Sequence, residues 1–371
     1  MTPLRVLQVN GLFTGGGIDN QTIELCTGLR ELGDDVTLAI PAGSALEPRA
    51  RHLGAQIETF PAKSWLKLAM IRRLARLIRS RRAQIIHVHQ GRDYWPGILA
   101  ARLAGRGTRV VVTRHLMTRP RLVSRWLLLT MSDVIAVSRA ALAVLQRELR
   151  GPAARLHQIY GGIDVNAFQP ARGPASESFR AQLGWAPDAV AFGVVGAYGL
   201  PRGKGQLEFL AAAARLHVDF PQARFAIIGQ GSMESLLRER IATLDLRDVA
   251  RMIPFTPEMP AVMTALDVLV HPAVGTEALG LVLWEAMACG KPVIASRLDG
   301  ISEAFVEGEH GLFVPPGDVP ALADAMRTLL GDAALRQRLG AAGRERVCQH
   351  FSRARLAREV RELYCRLRAP K

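Results

Sequence analysis

Short apolar runs alternate with amphipathic stretches from one end of the chain to the other. Runs at 5–9, 36–40, 85–88, 110–113, 134–137, 190–195, 224–228, 268–270 and 292–295 are rich in Val, Ile and Ala and read as buried strands. Between them, 20–32, 66–79 and 206–218 place apolar residues at helical spacing. Repeated strand–helix units of this kind build parallel sheets covered by helices on both faces. The alternation pauses around 164–178, where Gln169-Pro170-Ala171-Arg172-Gly173-Pro174 reads as a linker, and restarts at 190–196. The pattern therefore predicts two doubly wound α/β domains, 1–172 and 173–351, followed by a basic helix at 352–371. Two such domains facing each other place a cleft at the carboxyl ends of both sheets, where this architecture binds ligands.

Length and composition agree with that division. A chain of 371 residues exceeds the usual size of one domain, and 49% hydrophobic residues suffice for two cores. The cysteines, Cys26, Cys289, Cys348 and Cys365, are too far apart in sequence to suggest a metal or redox pair, so reduced thiols of a cytosolic protein are expected. The early apolar run breaks at Asn10-Gly11, which argues against a signal peptide, and no run has the length of a membrane span. Charge changes the picture more. Residues 59–132 hold 16 Arg or Lys and one acid, Asp93, which is a net +15 and the whole formal excess of the chain. Such a block implies an anionic partner on one face of the first domain.

Candidate chemistry gathers at predicted strand ends. In the first domain the strand at 5–9 leads into Gly15-Gly16-Gly17, whose backbone amides can approach a ligand closely. The turn lacks the Gly-x-Gly-x-x-Gly spacing of a dinucleotide site and is also compatible with an ordinary flexible turn. His115 follows the strand at 110–113, near the expected cleft. His87 and His89 alternate on a strand and share a face, but with no third ligand in view a metal site is not expected. In the second domain Arg202 and Lys204 share a glycine-flexed loop after 190–195, suited to clamping a diphosphate. A glycine turn also follows the strand that ends at Ile228, in Gly229-Gln230-Gly231-Ser232. Phe255 and Thr256 close another strand, where backbone groups can read the edge of a base; a plain strand terminus fits equally.

The densest stretch is 275–296. Glu277 precedes a helix expected to begin with Gly280, Leu281 and Val282, whose free N–H groups suit an anion. Glu285 falls about one and a half turns further on. Its neighbours Leu283, Trp284, Ala286 and Met287 mark a buried helix, and a buried acid needs a partner such as the hydroxyls of a ribose.

With these residues in place, the chain resembles glycosyltransferase family 4, the retaining nucleotide-sugar transferases of GT-B fold. The resemblance covers nearly the whole length. It rests above all on the Glu-x7-Glu run from Glu277 to Glu285 and on Ala286-Met287-Ala288-Cys289-Gly290-Lys291-Pro292-Val293-Ile294-Ala295. Ala136-Val137-Ser138, Gly162-Ile163-Asp164 and Gly311-Leu312-Phe313-Val314 also match. It implies that Glu277 contacts the donor sugar, Glu285 the ribose, and the amides of Gly280, Leu281 and Val282 the phosphates or sugar. It further implies that Arg202 and Lys204 hold the diphosphate, His115 lies near the sugar's primary hydroxyl, and the Gly16-Gly17 turn closes over the diphosphate. The family's last helix crosses back to the first domain, which gives 352–371 its expected place. Two positions depart from the pattern. Gly196-Ala197-Tyr198 stands where Gly-Arg-Leu is usual, leaving Arg202 to replace the arginine missing at Ala197, and Gly161 stands where Asn is usual.

The resemblance also frames the expected reaction. A sugar passes from a nucleotide diphosphate to a hydroxyl of a glycan or glycolipid with retention of configuration, and fixed cations do the work of a metal ion, so neither metal nor cofactor is expected. The segments 63–82 and 114–129 are basic and apolar together, which points to an anionic membrane surface. A cytoplasmic enzyme peripheral to the inner membrane, acting in lipopolysaccharide or other cell-envelope polysaccharide synthesis, is the expectation. Two alternatives stand beside it: a nucleotide-sugar epimerase or hydrolase of the same fold, and a basic nucleic-acid-binding protein. The latter lacks any known binding module or interleaved stacking aromatics, so no nucleic-acid partner is expected.

Overall fold

The computed structural model describes residues 2–11, 16–60, 67–105, 107–118, 122–149, 155–170, 173–199, 203–256 and 258–368. Arg202 and Gly15 thus lie outside the described residues, as do 63–66 and 119–121 of the two basic segments. The chain forms two compact units, Met1–Ile163 with Ser352–Lys371, and Asp164–Phe351. The division comes at 163/164, earlier than 172/173, because 164–170 is held by the second unit. There the Arg344 guanidinium donates to the Phe168 carbonyl at 3.0 Å.

The first unit is built on a seven-stranded parallel sheet: β1 (Arg5–Val9), β2 (Asp35–Pro41), β3 (Gln56–Phe60), β4 (Ile85–Val88), β5 (Arg109–Arg114), β6 (Asp133–Ala136) and β7 (Leu156–Gln158), in the order β3-β2-β1-β4-β5-β6-β7. Period-two alternation divides each strand between two cores. Leu7, Val9, Ile86, Val88, Val110 and Val112 pack under the helices Lys67–Ser80, Tyr94–Ala104, Leu122–Met131 and Arg139–Leu149. Val6, Leu38, Ile85 and Val111 face the helices Gly17–Glu31 and Arg353–Arg368.

The helix Arg353–Arg368 is fixed to this unit by charge as well as packing. Arg361 Nε donates to both oxygens of buried Asp34, at 3.1 and 3.0 Å, and Asp34 also accepts the Leu4 amide at 2.9 Å. Arg353 reaches Glu24 at 3.2 Å and Glu31 at 3.0 Å. Gly28 permits the crossing of the two helices, since a Cβ there would lie 2.7 Å from the Ala357 Cβ. The chain leaves the unit at Ile163 and re-enters at Ser352, with the Arg353 amide donating to the Ile163 carbonyl at 2.8 Å.

The second unit repeats the plan with six parallel strands: β8 (Val190–Val195), β9 (Ala223–Ile228), β10 (Ala250–Ile253), β11 (Val268–His271), β12 (Val293–Ser296) and β13 (Gly311–Val314), in the order β10-β9-β8-β11-β12-β13. Phe192, Val194, Val268 and Val270 enter one core, covered by the helices Gln206–Ala214, Glu234–Thr243 and Val319–Gly331. Helix Leu281–Ala288 packs against Ala333–His350, where Trp284 stacks on Phe351 with centroids 3.9 Å apart.

The basic block takes a different form from the one expected. In the helix Lys67–Ser80 the apolar stripe of Met70, Ile71, Leu74, Leu77 and Ile78 is buried in the first unit's core and is not offered to a membrane. Several arginines have internal partners: Arg73 and Arg81 both pair with Glu58, at 3.2 and 2.9 Å, and Arg79 donates to the carbonyls of Leu103 and Ala104 at the end of the next helix. Among the described residues, no helix is long and apolar enough to cross a membrane. All four cysteines are free, and burial pushes the thiols of Cys26 and Cys289 up to about 12.

Candidate active site

In both sheets the strand order reverses direction beside the first strand of the unit, between β1 and β4 and between β8 and β11. Loops leaving the carboxyl ends of the strands on either side of such a switch diverge and leave room for a ligand.

In the second unit, the loops after β8 and β11 touch at their bases. Gly205, with φ +86°, fits only as glycine, because a Cβ would lie 2.0 Å from the Pro272 carbonyl oxygen. This approach brings Lys204 to Glu277, 73 positions away in sequence, and Lys204 Nζ donates to Glu277 Oε2. The pair is partly buried, with Lys204 the more open member at 35% side-chain exposure against 18%. Both residues are anchored through their backbones. The Lys204 amide donates to Gln206 Oε1 at 2.7 Å. The Glu277 amide donates to Asp299 Oδ2 at 3.3 Å, and its carbonyl accepts from Gly300 at 3.1 Å. Asp299 holds a φ of +40°, uncommon for a residue other than glycine.

Three residues beyond Glu277, Gly280 adopts a left-handed conformation (φ 71°, ψ 51°) and precedes the helix Leu281–Ala288. The helix therefore starts at Leu281, one residue later than expected, because Gly280 turns the chain into it. No side chain caps this end, and Leu281 and Val282 are partly exposed, so first-turn amides are accessible to an anion. Glu285 follows on the same short helix. It is half-buried where full burial was expected, while Leu283, Trp284, Ala286 and Met287 fill the core. Further along the sheet, Phe255 after β10 is 56% exposed, and Thr256 Oγ1 accepts the Glu258 amide at 3.2 Å. Ala197 is exposed, and the neighbouring Tyr198 is buried, its hydroxyl donating to the Gly229 carbonyl at 3.0 Å.

His271, which no sequence motif marks, ends β11 beneath this site. It is 2% exposed, its Nε2 lies 3.9 Å from Glu277 Oε2, and neither ring nitrogen has a hydrogen-bond partner among the described residues. Burial lowers its pKa to about 4, opposed by Glu277 and assisted by Lys204. A polar residue closing an apolar strand just before the glutamate motif was the signal available in the sequence.

In the first unit, alternation along β1, β4 and β5 sets Gln8, His87, Thr113 and, just beyond the strands, His89 and His115 on the face covered by the last helix. The Gln8 amide donates to the Tyr364 hydroxyl at 3.2 Å. Tyr364 lies 2.6 Å from His87 Nδ1, His87 Nε2 lies 2.7 Å from Thr113 Oγ1, and His89 Nε2 lies 2.7 Å from Gln8 Oε1. Burial lowers His87 and His115 to about 3 and His89 well below its ordinary value, so all three rings are neutral near pH 7. His89 Nδ1 and His115 Nε2 are buried without partners among the described residues and belong to residues lining a cavity of about 20 Å³, room for roughly one water. Among the described residues no group of His, Cys, Asp and Glu is placed to hold a metal ion. Gly16 caps the helix Gly17–Glu31 with φ 146°, and the Asn20 amide donates to its carbonyl at 3.0 Å.

Two parallel-sheet α/β units with these site loops define a glycosyltransferase of the GT-B fold. The structure of HepE from Anabaena in complex with UDP and glucose superimposes with a TM-score of 0.86 at 22% identity, over 98% of this chain and 99% of that one. Residues 176–346 match the family model of glycosyl transferases group 1, and residues 15–167 that of glycosyltransferase family 4. The 2-deoxystreptamine N-acetyl-D-glucosaminyltransferase of Streptomyces fradiae is 30% identical over 73% of this chain and 68% of its own. The phosphatidyl-myo-inositol mannosyltransferase of Mycolicibacterium smegmatis is 28% identical over 90% of this chain and 86% of its own. The chain belongs to glycosyltransferase family 4 and is a glycosyltransferase.

Proposed function

We propose that the chain transfers a sugar, with retention of configuration, from a nucleotide diphosphate to a hydroxyl on a membrane-borne saccharide or lipid. The observation that carries this reading is the Lys204–Glu277 pair at the switch point of the second sheet, beside the uncapped start of helix Leu281–Ala288. A cation, accessible amides and a carboxylate within one loop cluster match a diphosphate joined to a polyhydroxylated ring. Lys204, with Arg202, balances the charge that grows on the leaving phosphate, and the amides from Gly280 to Val282 share it. Glu277 grips sugar hydroxyls, Glu285 the ribose, and backbone groups at Phe255 and Thr256 the base.

The chemistry then needs positioning more than a protein base. The bond from the anomeric carbon to the phosphate oxygen breaks, and the acceptor hydroxyl oxygen bonds to that carbon on the same face. The hydroxyl proton passes to the departing phosphate oxygen. Fixed cations carry the charge that a metal ion carries elsewhere.

A lipid acceptor is supported by the similarity to the phosphatidyl-myo-inositol mannosyltransferase and by the first unit's surface. Leu68, Leu99, Leu103 and Trp126 are exposed on three neighbouring helices, with Arg72 and Arg76 exposed beside them. Such a surface suits the anionic cytosolic leaflet, with lipopolysaccharide core as one acceptor of this class. The test is incubation with labelled UDP-, GDP- and ADP-sugars and a bacterial lipid extract. Labelled lipid with the donor's anomeric configuration is expected. Inverted product contradicts retention. Donor epimerised or hydrolysed at the same rate without acceptor contradicts the transfer role proposed for this site.

A further inference from the structure

Resting on that reading, the site poses a problem of its own. The cation assigned to the diphosphate is already engaged, because Lys204 Nζ donates to Glu277 Oε2. When an anionic donor draws Lys204 away, Glu277 is left partly buried, at 18% side-chain exposure, without its ion-pair partner. A carboxylate stripped of its partner inside a protein is costly.

The residue placed to relieve this is His271. Its ring is buried, Nε2 stands 3.9 Å from the same Glu277 oxygen that Lys204 holds, and no described protein group satisfies either nitrogen. A buried imidazole without a protein partner is unusual enough to call for a reason. The anchoring of the site explains how the exchange can be local. The Glu277 backbone is tied to Asp299 and Gly300, so rotation of its side chain by about 1 Å at the carboxylate closes the gap to hydrogen-bond distance. The His271 ring sits at the end of a central strand and does not need to move.

We propose that His271 is a positioning residue that receives the Glu277 carboxylate when Lys204 turns to the diphosphate. Lys204 and His271 hold Glu277 Oε2 in turn: the lysine in the free protein, the imidazole N–H in the donor complex. The exchange keeps Glu277 oriented for the sugar while freeing the lysine for the phosphates. Because the ring is neutral near pH 7, it donates a hydrogen bond without adding charge beside the donor.

The test is a double-mutant cycle read by calorimetric titration of UDP, GDP and ADP, which carry the diphosphate without a sugar. His271→Leu is expected to weaken the nucleotide that binds by about tenfold, roughly 1.4 kcal/mol. In a Glu277→Gln background, where no carboxylate charge is stranded, the same substitution is expected to change nothing. His271→Gln, which keeps an N–H donor, is expected to retain affinity. Equal loss in both backgrounds, or no loss in either, overturns the exchange. No binding of any of the three by the wild type overturns the donor reading itself, a separate outcome. Should the leucine variant not fold, imidazole ¹⁵N–¹H spectra of the wild type decide, with the His271 signal assigned by its absence in His271→Gln. The ring N–H is expected to move downfield on nucleotide addition, and an unmoved signal overturns the proposal.

Discussion

The two sheets share one strand order over six strands and treat the groups at their carboxyl ends in different ways. In the first unit, Gln8, His87, Thr113 and Tyr364 satisfy one another beneath the last helix, and burial holds the neighbouring histidines neutral. In the second, the corresponding region keeps its charges: Lys204 and Glu277 meet across the switch point, with the lysine half open to solvent. The same topology thus yields a closed polar cluster that ties the last helix to the sheet and an ion pair accessible to an anion. What differs is the price of exposure. Neutral groups that hydrogen-bond one another gain from being sealed, whereas a paired lysine beside uncapped amides gains from an incoming diphosphate.

The largest effect is expected at Arg361. Replacement by alanine strands Asp34, whose side chain is fully buried, and is expected to cost about 3–5 kcal/mol. Hydrogen exchange should accelerate in β1 and β2 and in the last helix while leaving the second unit's strands protected; equal acceleration in both units would show the closed cluster is not a local device. Lys204→Ala attacks the other side. It is expected to lower turnover by about 10²–10³-fold. Near-normal turnover removes the lysine from the leaving-group role.

Acid gives a smaller effect with a definite sign. Five histidines have folded pKa values held below the ordinary 6.5 by burial: His87 and His115 near 3, His271 near 4, and His89 and His310 also lowered. Between about 6.5 and 3 the unfolded chain binds more protons than the folded one, so stability falls as pH falls through that window. Three of the five, among them the two at about 3, lie in the first unit, which should lose exchange protection first on acidification. Earlier loss in the second unit contradicts this ordering.

Much of this was legible in the sequence, and the gaps have physical reasons. The runs at 5–9, 85–88 and 190–195 coincide with β1, β4 and β8 because central parallel strands are buried on both faces and read as unbroken apolar blocks. β3 and β7 were not visible, since edge strands such as Gln56–Phe60 and Leu156–Gln158 keep polar, partly exposed residues. Amphipathic spacing gave the helix Lys67–Ser80 but not what its apolar face meets, which proved to be the core. A charge count likewise cannot see that Glu58 and backbone carbonyls absorb Arg73, Arg81 and Arg79. At the site, Glu277, Glu285 and Lys204 were recognisable as residue types in motifs, but the direct Lys204–Glu277 contact depends on the Gly205–Pro272 approach. His271 was missed because a lone histidine at a strand end carries no motif.

The central claim is that the second unit's switch point holds a nucleotide-diphosphate sugar. Calorimetric titration of UDP-, GDP- and ADP-sugars into the wild type and into Glu285→Ala and Lys204→Ala tests it most directly. Saturable one-site binding of one nucleotide class by the wild type is expected, lost or weakened at least tenfold in both folded variants. Unchanged binding in both variants, or no binding of any nucleotide sugar by the wild type, would contradict it.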